Sequence, residues 1–113
     1  MTRKPSRYEV LLTRGSEHDI ESIYDHIAEF DGVINASHVL DKLLKVVDDL
    51  AHVPDRGSHP KELVALGIKE YRQVSFKPYR VIYRVIDGRA IIYLIVDGRR
   101  DMQSMLARRL LGA

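Results

Sequence analysis

The chain is 113 residues long, the size of one domain, so the sequence predicts a single domain over residues 1–113. Hydrophobic residues make up 45% and charged residues 30%, a composition typical of globular proteins rather than disordered or fibrous ones. The absence of cysteine excludes disulfides, thiolate nucleophiles and cysteine-bound metals, and no apolar run approaches the roughly 20 residues of a membrane span. We therefore expect a cytoplasmic protein without a membrane partner.

The charges are distributed unevenly along the chain. Residues 1–67 hold 8 Lys/Arg and 12 Asp/Glu, whereas residues 68–113 hold 10 Lys/Arg and 4 Asp/Glu. The first part is therefore acidic and the second part basic, although the net charge is only +2. A basic part favours an anionic partner, and a solvated charged surface explains the same distribution equally well.

The first half of the chain predicts a strand followed by two helices. Residues 7–13 alternate in the manner of a strand. Ser16 precedes an acidic residue three positions later, as in a capping box, and apolar residues at helical spacing continue that helix to Phe30. A break at residues 31–32 leads to a second helix that Pro54 ends. So short a connection makes the two helices antiparallel neighbours.

The second half predicts a hairpin of two strands. Asp87-Gly88 separates two runs that are rich in valine, isoleucine and tyrosine, which is the strongest short-range signal for a two-residue turn. The turn pairs Ile86 with Arg89, and the pairing continues without interruption until Arg80 lies opposite Ile95.

The predicted fold class is α+β, with an N-terminal strand, an antiparallel helical hairpin packed on a small antiparallel β-sheet, and a C-terminal helix. A strand at about residues 70–77 extends the sheet. Asp101 predicts the N-cap of the last helix, and Gly112 predicts its end.

The uninterrupted pairing sorts the strand residues onto two faces, because side chains alternate across a sheet. One face is apolar and is expected to pack against the helices; it consists of Tyr79, Val81, Tyr83, Val85, Ala90, Ile92, Leu94 and Val96. The other face mixes arginine with large apolar groups and consists of Arg80, Ile82, Arg84, Ile91, Tyr93 and Ile95. Exposed apolar groups usually mark a binding surface, which the terminal helix or a partner protein would cover. Arginine beside tyrosine also favours a nucleic acid, and a purely solubilising role explains the arginines equally well.

The common catalytic and metal-binding motifs are missing from the sequence. It contains no G-x-S-x-G turn, no P-loop and no G-x-G-x-x-G. None of the five histidines lies three or four residues from another, which is the spacing of a metal-binding pair on a helix. Asp48 and Asp49 are adjacent, so they face apart on a helix. We therefore expect neither a metal nor a cofactor.

The order of these elements resembles the RelE/ParE toxin superfamily. The resemblance runs through YEVLLTRGSEHDIESIYDHI (8–27), ALGIKEYR (65–72) and YRVIYRVIDGRAIIYLIVDGRRDM (79–102), of which the last is the most specific. It implies a toxin of a bacterial type II toxin–antitoxin system, of the plasmid stabilisation kind, with a helical hairpin on an antiparallel sheet. It also implies that a cognate antitoxin covers the mixed sheet face, and the expected antitoxin-binding residues are Ile82, Arg84, Ile91, Tyr93 and Ile95.

One branch of the superfamily, the RelE-like branch, cleaves mRNA in the ribosomal A site. Its basic positions match Arg80 and Arg100, and less closely Arg72. That branch often has a tyrosine or histidine after the basic ending, to serve as acid or base. Here residues 101–113 contain no Tyr, His, Lys or Glu, and Leu106 occupies the matching position. Proton transfer from the ribose hydroxyl then has no obvious agent, although Asp101 or a ribosomal group is conceivable.

The ParE-like branch inhibits DNA gyrase, and the ending RRDMQSMLARRLL (99–111) resembles that branch more closely. The resemblance implies a binding protein with no catalytic residues to carry over. We expect gyrase to be the target, with contacts from Met105, Leu106, Arg108 and Arg109 on the terminal helix. The alternatives are a ribosome-dependent mRNA endonuclease that uses Arg80, Arg100 and Arg72, and a regulatory member without toxicity.

Overall fold

A computed structural model describes residues 7–112 of the chain. Within this range lie four strands and four helices in the following order: β1 (Glu9–Leu12), α1 (Arg14–Asp31), α2 (Val33–Asp49), α3 (Lys61–Val64), β2 (Tyr71–Phe76), β3 (Tyr79–Ile86), β4 (Arg89–Asp97) and α4 (Met102–Leu110). The predicted α+β class is confirmed. Within residues 7–112, no helix combines the length and the apolar composition that crossing a membrane requires.

The four strands form one sheet in the order β1-β4-β3-β2. The pairs β2–β3 and β3–β4 are antiparallel as predicted, whereas β1 lies parallel to β4. The sheet is therefore mixed rather than purely antiparallel. A parallel pair needs a long crossover connection, and here all the elements from α1 to β3 supply it.

Helix α1 begins three residues earlier than the sequence predicts. Thr13 is the N-cap, because its Oγ1 accepts a hydrogen bond of 3.2 Å from the backbone N–H of Ser16. Ser16 lies in the first turn, completely buried, and its hydroxyl donates to the carbonyl of Thr13 at 2.9 Å. A single residue, Gly32, separates α1 from α2, and its φ of 94° is one that favours glycine.

The Asp-Gly turn is confirmed, since Asp87 and Gly88 both have positive φ angles, of 49° and 75°. The predicted pairing is correct from the turn as far as Tyr83 opposite Ile92. Beyond that point a β-bulge shifts the register, so that Ile82 lies opposite Leu94 rather than opposite Tyr93.

The bulge exchanges the two faces over the second half of β4, because one extra residue reverses the alternation of side chains. Leu94 and Val96 were predicted to face the helical hairpin, but they pack against α3 and α4. Ile95 was predicted on the opposite face, and it packs against the hairpin instead. The predicted faces are therefore wrong for these three residues.

Helices pack on both faces of the sheet, and they cover one face more fully than the other. The hairpin α1–α2 packs on one face, and its buried cluster consists of Leu43, Val47, Leu50, Val81, Tyr83, Ala90, Ile92 and Ile95. Helices α3 and α4 cover part of the other face, with a cluster of Leu63, Tyr71, Ile82, Leu94, Val96, Met102, Met105 and Leu106.

The loop before α3 is bound to the sheet through the hydroxyl of Tyr83. This hydroxyl donates to the carbonyl of Pro54 at 2.6 Å and accepts from the N–H of Gly57 at 3.0 Å. A Cβ on Gly57 would lie 2.5 Å from the hydroxyl oxygen, so only glycine fits there. Burial raises the pKa of Tyr83, which keeps the hydroxyl a donor.

Both predicted ends of α4 are confirmed. The Asp101 carboxylate accepts from the backbone N–H of Ser104 at 3.2 Å, which makes it the N-cap. Gly112 follows the helix with a φ of 71°. These caps place α4 against the end of β4, where most of the predicted site residues lie.

Candidate functional site

Arg80, on β3, is bound by two side chains of its own chain. Its Nη1 and Nη2 donate to the two carboxylate oxygens of Glu62 at 2.9 and 2.8 Å, and its Nε donates to Oε1 of Gln73 at 2.7 Å. The Arg80 and Glu62 side chains are only 14% and 15% exposed. The guanidinium also lowers the pKa of Glu62. Both donor edges of Arg80 are therefore occupied, and neither is free for a phosphate.

The stem of Arg80 also supports the turn between β4 and α4. A Cβ on Gly98 would lie 2.7 Å from Cδ of Arg80, so the absence of a side chain allows the turn to approach the arginine. The N–H of Gly98 donates to the carbonyl of Pro78 at 2.7 Å. Arg80 thus lies beneath the segment that leads into α4.

Arg72 lies on the other face of the sheet. Its neighbour on β2, Gln73, bonds Arg80, and successive strand residues point to opposite faces. Nη1 of Arg72 donates to the carbonyl of Gly57 at 2.8 Å and to that of Asp55 at 3.4 Å. Arg72 therefore binds the loop before α3, and it does not share a ligand site with Arg80.

Arg100 is exposed and borders a groove of about 380 Å³ between α1, the end of β4 and α4. We call this the α1–α4 groove, and its polar lining consists of Asp19, Ser22, His26, Tyr79, Asp97 and Arg100. Arg100 shares this groove with His26 and Tyr79, two side chains that can transfer protons. The spacing of the histidines argues against a metal pair at His26 and does not single it out for another role. Its position four residues after Ser22 puts both on the same side of α1, where they line this groove.

The carboxylates of the α1–α4 groove are already paired. Asp97 accepts from Arg99 at 2.6 Å, and this contact lowers the pKa of the carboxyl group. Burial, together with the charge of Asp97, raises the pKa of Tyr79. Tyr79 therefore stays protonated at neutral pH and is not available as a base, which leaves His26 as the candidate base in the groove.

Helix α4 is fastened to the domain by an ion pair with α1. Arg109 donates to the two carboxylate oxygens of Asp19 at 2.9 and 3.0 Å and to the carbonyl of Tyr93 at 3.3 Å. The same carboxylate accepts the backbone N–H of Ile95 at 3.0 Å. Gly15 permits this approach, because a Cβ there would lie 2.7 Å from Nη2 of Arg109.

The residues expected to bind the target are therefore unequally accessible. Met105 and Leu106 are 8% and 1% exposed, so their direct contact with a target would require α4 to leave the sheet. Arg109 is engaged by Asp19. Arg108 is exposed, and its role as a target contact stays a prediction.

The expected antitoxin-binding residues are also divided by the fold. Ile82 is completely buried beneath α3 and α4, and Ile95 is buried on the hairpin side, so neither offers a surface to a partner in this conformation, and their role in antitoxin binding stays a prediction. The bulge and the packing of α4 cause this burial. Arg84, Ile91 and Tyr93 remain partly exposed on the α4 side of the sheet.

These three residues belong to a surface that α3 and α4 leave open. Leu11, which is 37% exposed, pairs with Ile91, and Ile91 pairs with Arg84. The Arg84 guanidinium lies 5.4 Å from the centre of the Tyr71 ring, which meets the Tyr93 ring edge to face at 5.6 Å. We call the surface formed by Leu11, Ile91, Arg84 and Tyr93 the open sheet face. Its mixture of apolar, aromatic and basic groups is typical of protein interfaces.

No group of three or more His, Asp or Glu suited to a metal ion occurs within residues 7–112. The candidate site within residues 7–112 thus consists of arginines held by internal partners, a groove beside Arg100, and an open sheet face. None of them forms a complete set of catalytic groups.

Known proteins are similar to this chain in sequence and in fold. The model of the family described as the ParE toxin of type II toxin-antitoxin system, parDE, matches residues 10–102. Toxin ParE3 of Caulobacter vibrioides is 28% identical over 100 residues, which cover 88% of this chain and 96% of that protein.

Two solved structures share the fold at low identity. A chain of the chromosomal ParDE toxin–antitoxin system from P. aeruginosa matches with a TM-score of 0.70 and 22% identity, covering 82% of this chain and 98% of that one. A chain of the RelBE2 toxin–antitoxin complex from Mycobacterium tuberculosis matches with a TM-score of 0.60 and 19% identity, covering 85% of this chain and 97% of that one. Because the family model spans most of the sequence, the chain belongs to the ParE toxin family of type II toxin–antitoxin systems.

Proposed function

We propose that this toxin arrests growth by binding and poisoning DNA gyrase, and that it does not cleave RNA. The observation that carries the proposal is the engagement of Arg80, one of the two arginines that match the basic positions of an RNA-cleaving toxin. Glu62 occupies one donor edge of its guanidinium and Gln73 the other. The resemblance of residues 99–111 to the gyrase-inhibiting branch supports the same conclusion.

The physical argument concerns charge. Phosphoryl transfer depends on cations whose donors are aimed at the phosphate before the reaction begins. To bind a phosphate, Arg80 would have to leave Glu62, and an unpaired carboxylate buried at that point is strongly unfavourable. Arg72, on the opposite face, is also held by backbone carbonyls. A toxin that acts by binding a protein needs none of these groups to be free.

The decisive experiment incubates the purified toxin with gyrase, ATP and supercoiled plasmid, then traps cleaved DNA with detergent and protease. We expect linear plasmid to accumulate. Arg108→Glu tests the exposed part of α4, and Arg56→Glu, at an exposed loop position, is the matched control. A toxin that arrests growth without producing linear plasmid would contradict the proposal.

The α1–α4 groove favours ribosome-dependent mRNA cleavage as a second candidate function. His26 and Arg100 both line this groove, and an imidazole beside a guanidinium supplies a base and a cation. In this case His26→Ala and Arg100→Ala would both abolish cleavage of translated mRNA in a primer-extension assay. The candidate fails if the wild-type toxin leaves translated mRNA intact.

We further propose that the open sheet face binds the cognate antitoxin. Leu11, Ile91 and Tyr93 supply apolar area, and Arg84 supplies a positive charge for an acidic antitoxin segment. The expected partner is the product of a neighbouring small reading frame. Ile91→Asp should prevent its co-purification, whereas Val53→Asp, at an exposed apolar position in the loop after α2, should not. Equal recovery with both variants would exclude this face.

A further inference from the structure

The tip of the helical hairpin carries large apolar side chains in contact with solvent. Ile34 is 91% exposed, Phe30 69% and Val33 61%, which makes them the most exposed large hydrophobic residues within positions 7–112. All three lie within two residues of Gly32, the hinge between α1 and α2. Single exposed apolar residues are ordinary, but a cluster at one point of the surface marks an interaction site.

The core does not require these residues to be apolar, although the Phe30 ring lies 4.7 Å from the ring of His26 on the same helix. Ile27 and Ala36, at 8% and 0% exposure, supply the buried residues at this end of the hairpin. The turn depends on the backbone of Gly32, which has a φ of 94°. Polar side chains at positions 30, 33 and 34 would be compatible with both requirements. The apolar character is therefore explained better by a contact with another molecule.

The charges around the tip restrict the kind of molecule. Residues 25–38 include the carboxylates of Asp25, Glu29 and Asp31 and contain no lysine or arginine. An acidic surface repels nucleic-acid phosphates and anionic lipid headgroups. In a symmetric dimer the same carboxylates would face one another, which is also unfavourable. The chemistry that fits is a protein surface with an apolar pocket and a rim of lysine or arginine.

The tip also lies far from the open sheet face. Arg109, which contacts Tyr93 beside that face, reaches the first turn of α1 at Gly15. Phe30 lies 15 residues beyond Gly15 on α1, which corresponds to about 22 Å along the helix axis. A partner seated on the open sheet face therefore leaves the tip available to a second protein.

We propose that the hairpin tip, consisting of Phe30, Val33 and Ile34 with the carboxylates of Asp25, Glu29 and Asp31, is the surface that docks on the toxin's protein target. The apolar residues enter a pocket of the target, and the carboxylates pair with a basic rim. The proposal rests on the proposed function, in which that target is gyrase. The proposal assigns the main target contact to the hairpin tip rather than to α4, because Met105 and Leu106 of α4 are buried.

The first test replaces Ile34 with aspartate. This position is 91% exposed, so the change does not disturb the core, and circular dichroism verifies the fold. The matched control is Leu66→Asp, at an apolar position that is 56% exposed after α3. Loss of an apolar anchor at the centre of an interface weakens binding by about thirtyfold or more. We expect Ile34→Asp to need at least that excess of toxin to produce the same linear plasmid, and Leu66→Asp to match the wild type.

The second test reverses one charge of the tip. Glu29→Lys should weaken the binding of purified gyrase, and the loss should shrink as salt screens the rim. Asp48→Lys, at an exposed position near the other end of the hairpin, should leave binding unchanged. Equal loss from both variants would mean that overall charge, rather than the tip, governs binding, and it would overturn the proposal.

Growth arrest separates the failure of this proposal from the failure of the proposed function. If wild-type toxin and Ile34→Asp produce linear plasmid equally, the tip proposal is overturned and gyrase poisoning stands. If the wild type produces no linear plasmid, gyrase poisoning is overturned. In that case the tip proposal also fails if Ile34→Asp arrests growth as strongly as the wild type does. A wild-type dimer that Ile34→Asp converts to monomers would identify the tip as a self-interface and overturn the proposal as well.

Discussion

Removing the carboxylate of Glu62 tests whether Arg80 is a structural element of this toxin. Breaking a buried ion pair by deleting one partner costs about 3–5 kcal/mol. Here both side chains keep about 15% exposure, so water partly compensates the charge that remains. We therefore expect Glu62→Ala to lower the free energy of unfolding by about 2–3 kcal/mol. For a domain of this size, the melting temperature would fall by roughly 10–15 °C.

The measurement is urea unfolding followed by circular dichroism at pH 7. The control is Lys45→Ala, which removes an exposed pair with Asp49 whose side chains are 76% and 39% exposed. Such surface pairs contribute at most about 1 kcal/mol. An ordinary surface substitution changes the free energy of unfolding by about 0.5 kcal/mol or less. If Glu62→Ala causes no larger change than this, Arg80 is not held by Glu62 as the structure shows.

The pH dependence of the free energy of unfolding tests the same ion pair in a second way. The folded protein holds the pKa of Glu62 below the reference value of 4.5. The resulting stability is present above that value and is lost as the pH falls through the folded-state pKa. The stability difference between the wild type and Glu62→Gln should therefore narrow on acidification from pH 7 to below 4.5. A difference that stays constant over this range would refute the electrostatic explanation.

Two further substitutions test how the loop before α3 and helix α4 are attached. Tyr83→Phe removes both hydrogen bonds of a buried hydroxyl and leaves the N–H of Gly57 without a partner, so unfolding in urea should show a loss of about 1–3 kcal/mol. A loss below about 0.5 kcal/mol would indicate that water replaces the hydroxyl. Gly15→Ala would gain at most about 1 kcal/mol from helix propensity, but its Cβ would lie 2.7 Å from Nη2 of Arg109, so the guanidinium must shift relative to Asp19. We expect faster amide hydrogen exchange in α4; unchanged exchange together with a more stable protein would contradict this.

Two partly buried ion pairs show how arginines of the second half of the chain are held inside the fold. Arg80 and Arg109 each form a two-point contact with a carboxylate from a helix, and each thereby joins two layers of the domain. The basic second half of the sequence is thus partly neutralised by the acidic first half. The uneven charge along the sequence reflects internal pairing as well as any external partner.

The sequence by itself was sufficient for features that depend on neighbouring residues. The helical hairpin, the Asp87-Gly88 turn and the cap at Asp101 follow from spacing and local hydrogen bonding, and the structure confirms them. The resemblance to the toxin superfamily also rests on short motifs in a given order, and the match to the ParE family over residues 10–102 confirms it.

The tertiary structure decided which side chains meet. Alternation along a strand predicts a face only while the register is regular, and the bulge at Tyr93 reversed it for Ile95 and the residues on either side. The contact between Arg109 and Asp19 joins residues 90 positions apart. No local pattern encodes such a pair, because it forms only when α4 closes over the end of the sheet. For that reason the sequence identified the arginines, and only the fold showed which of them are engaged.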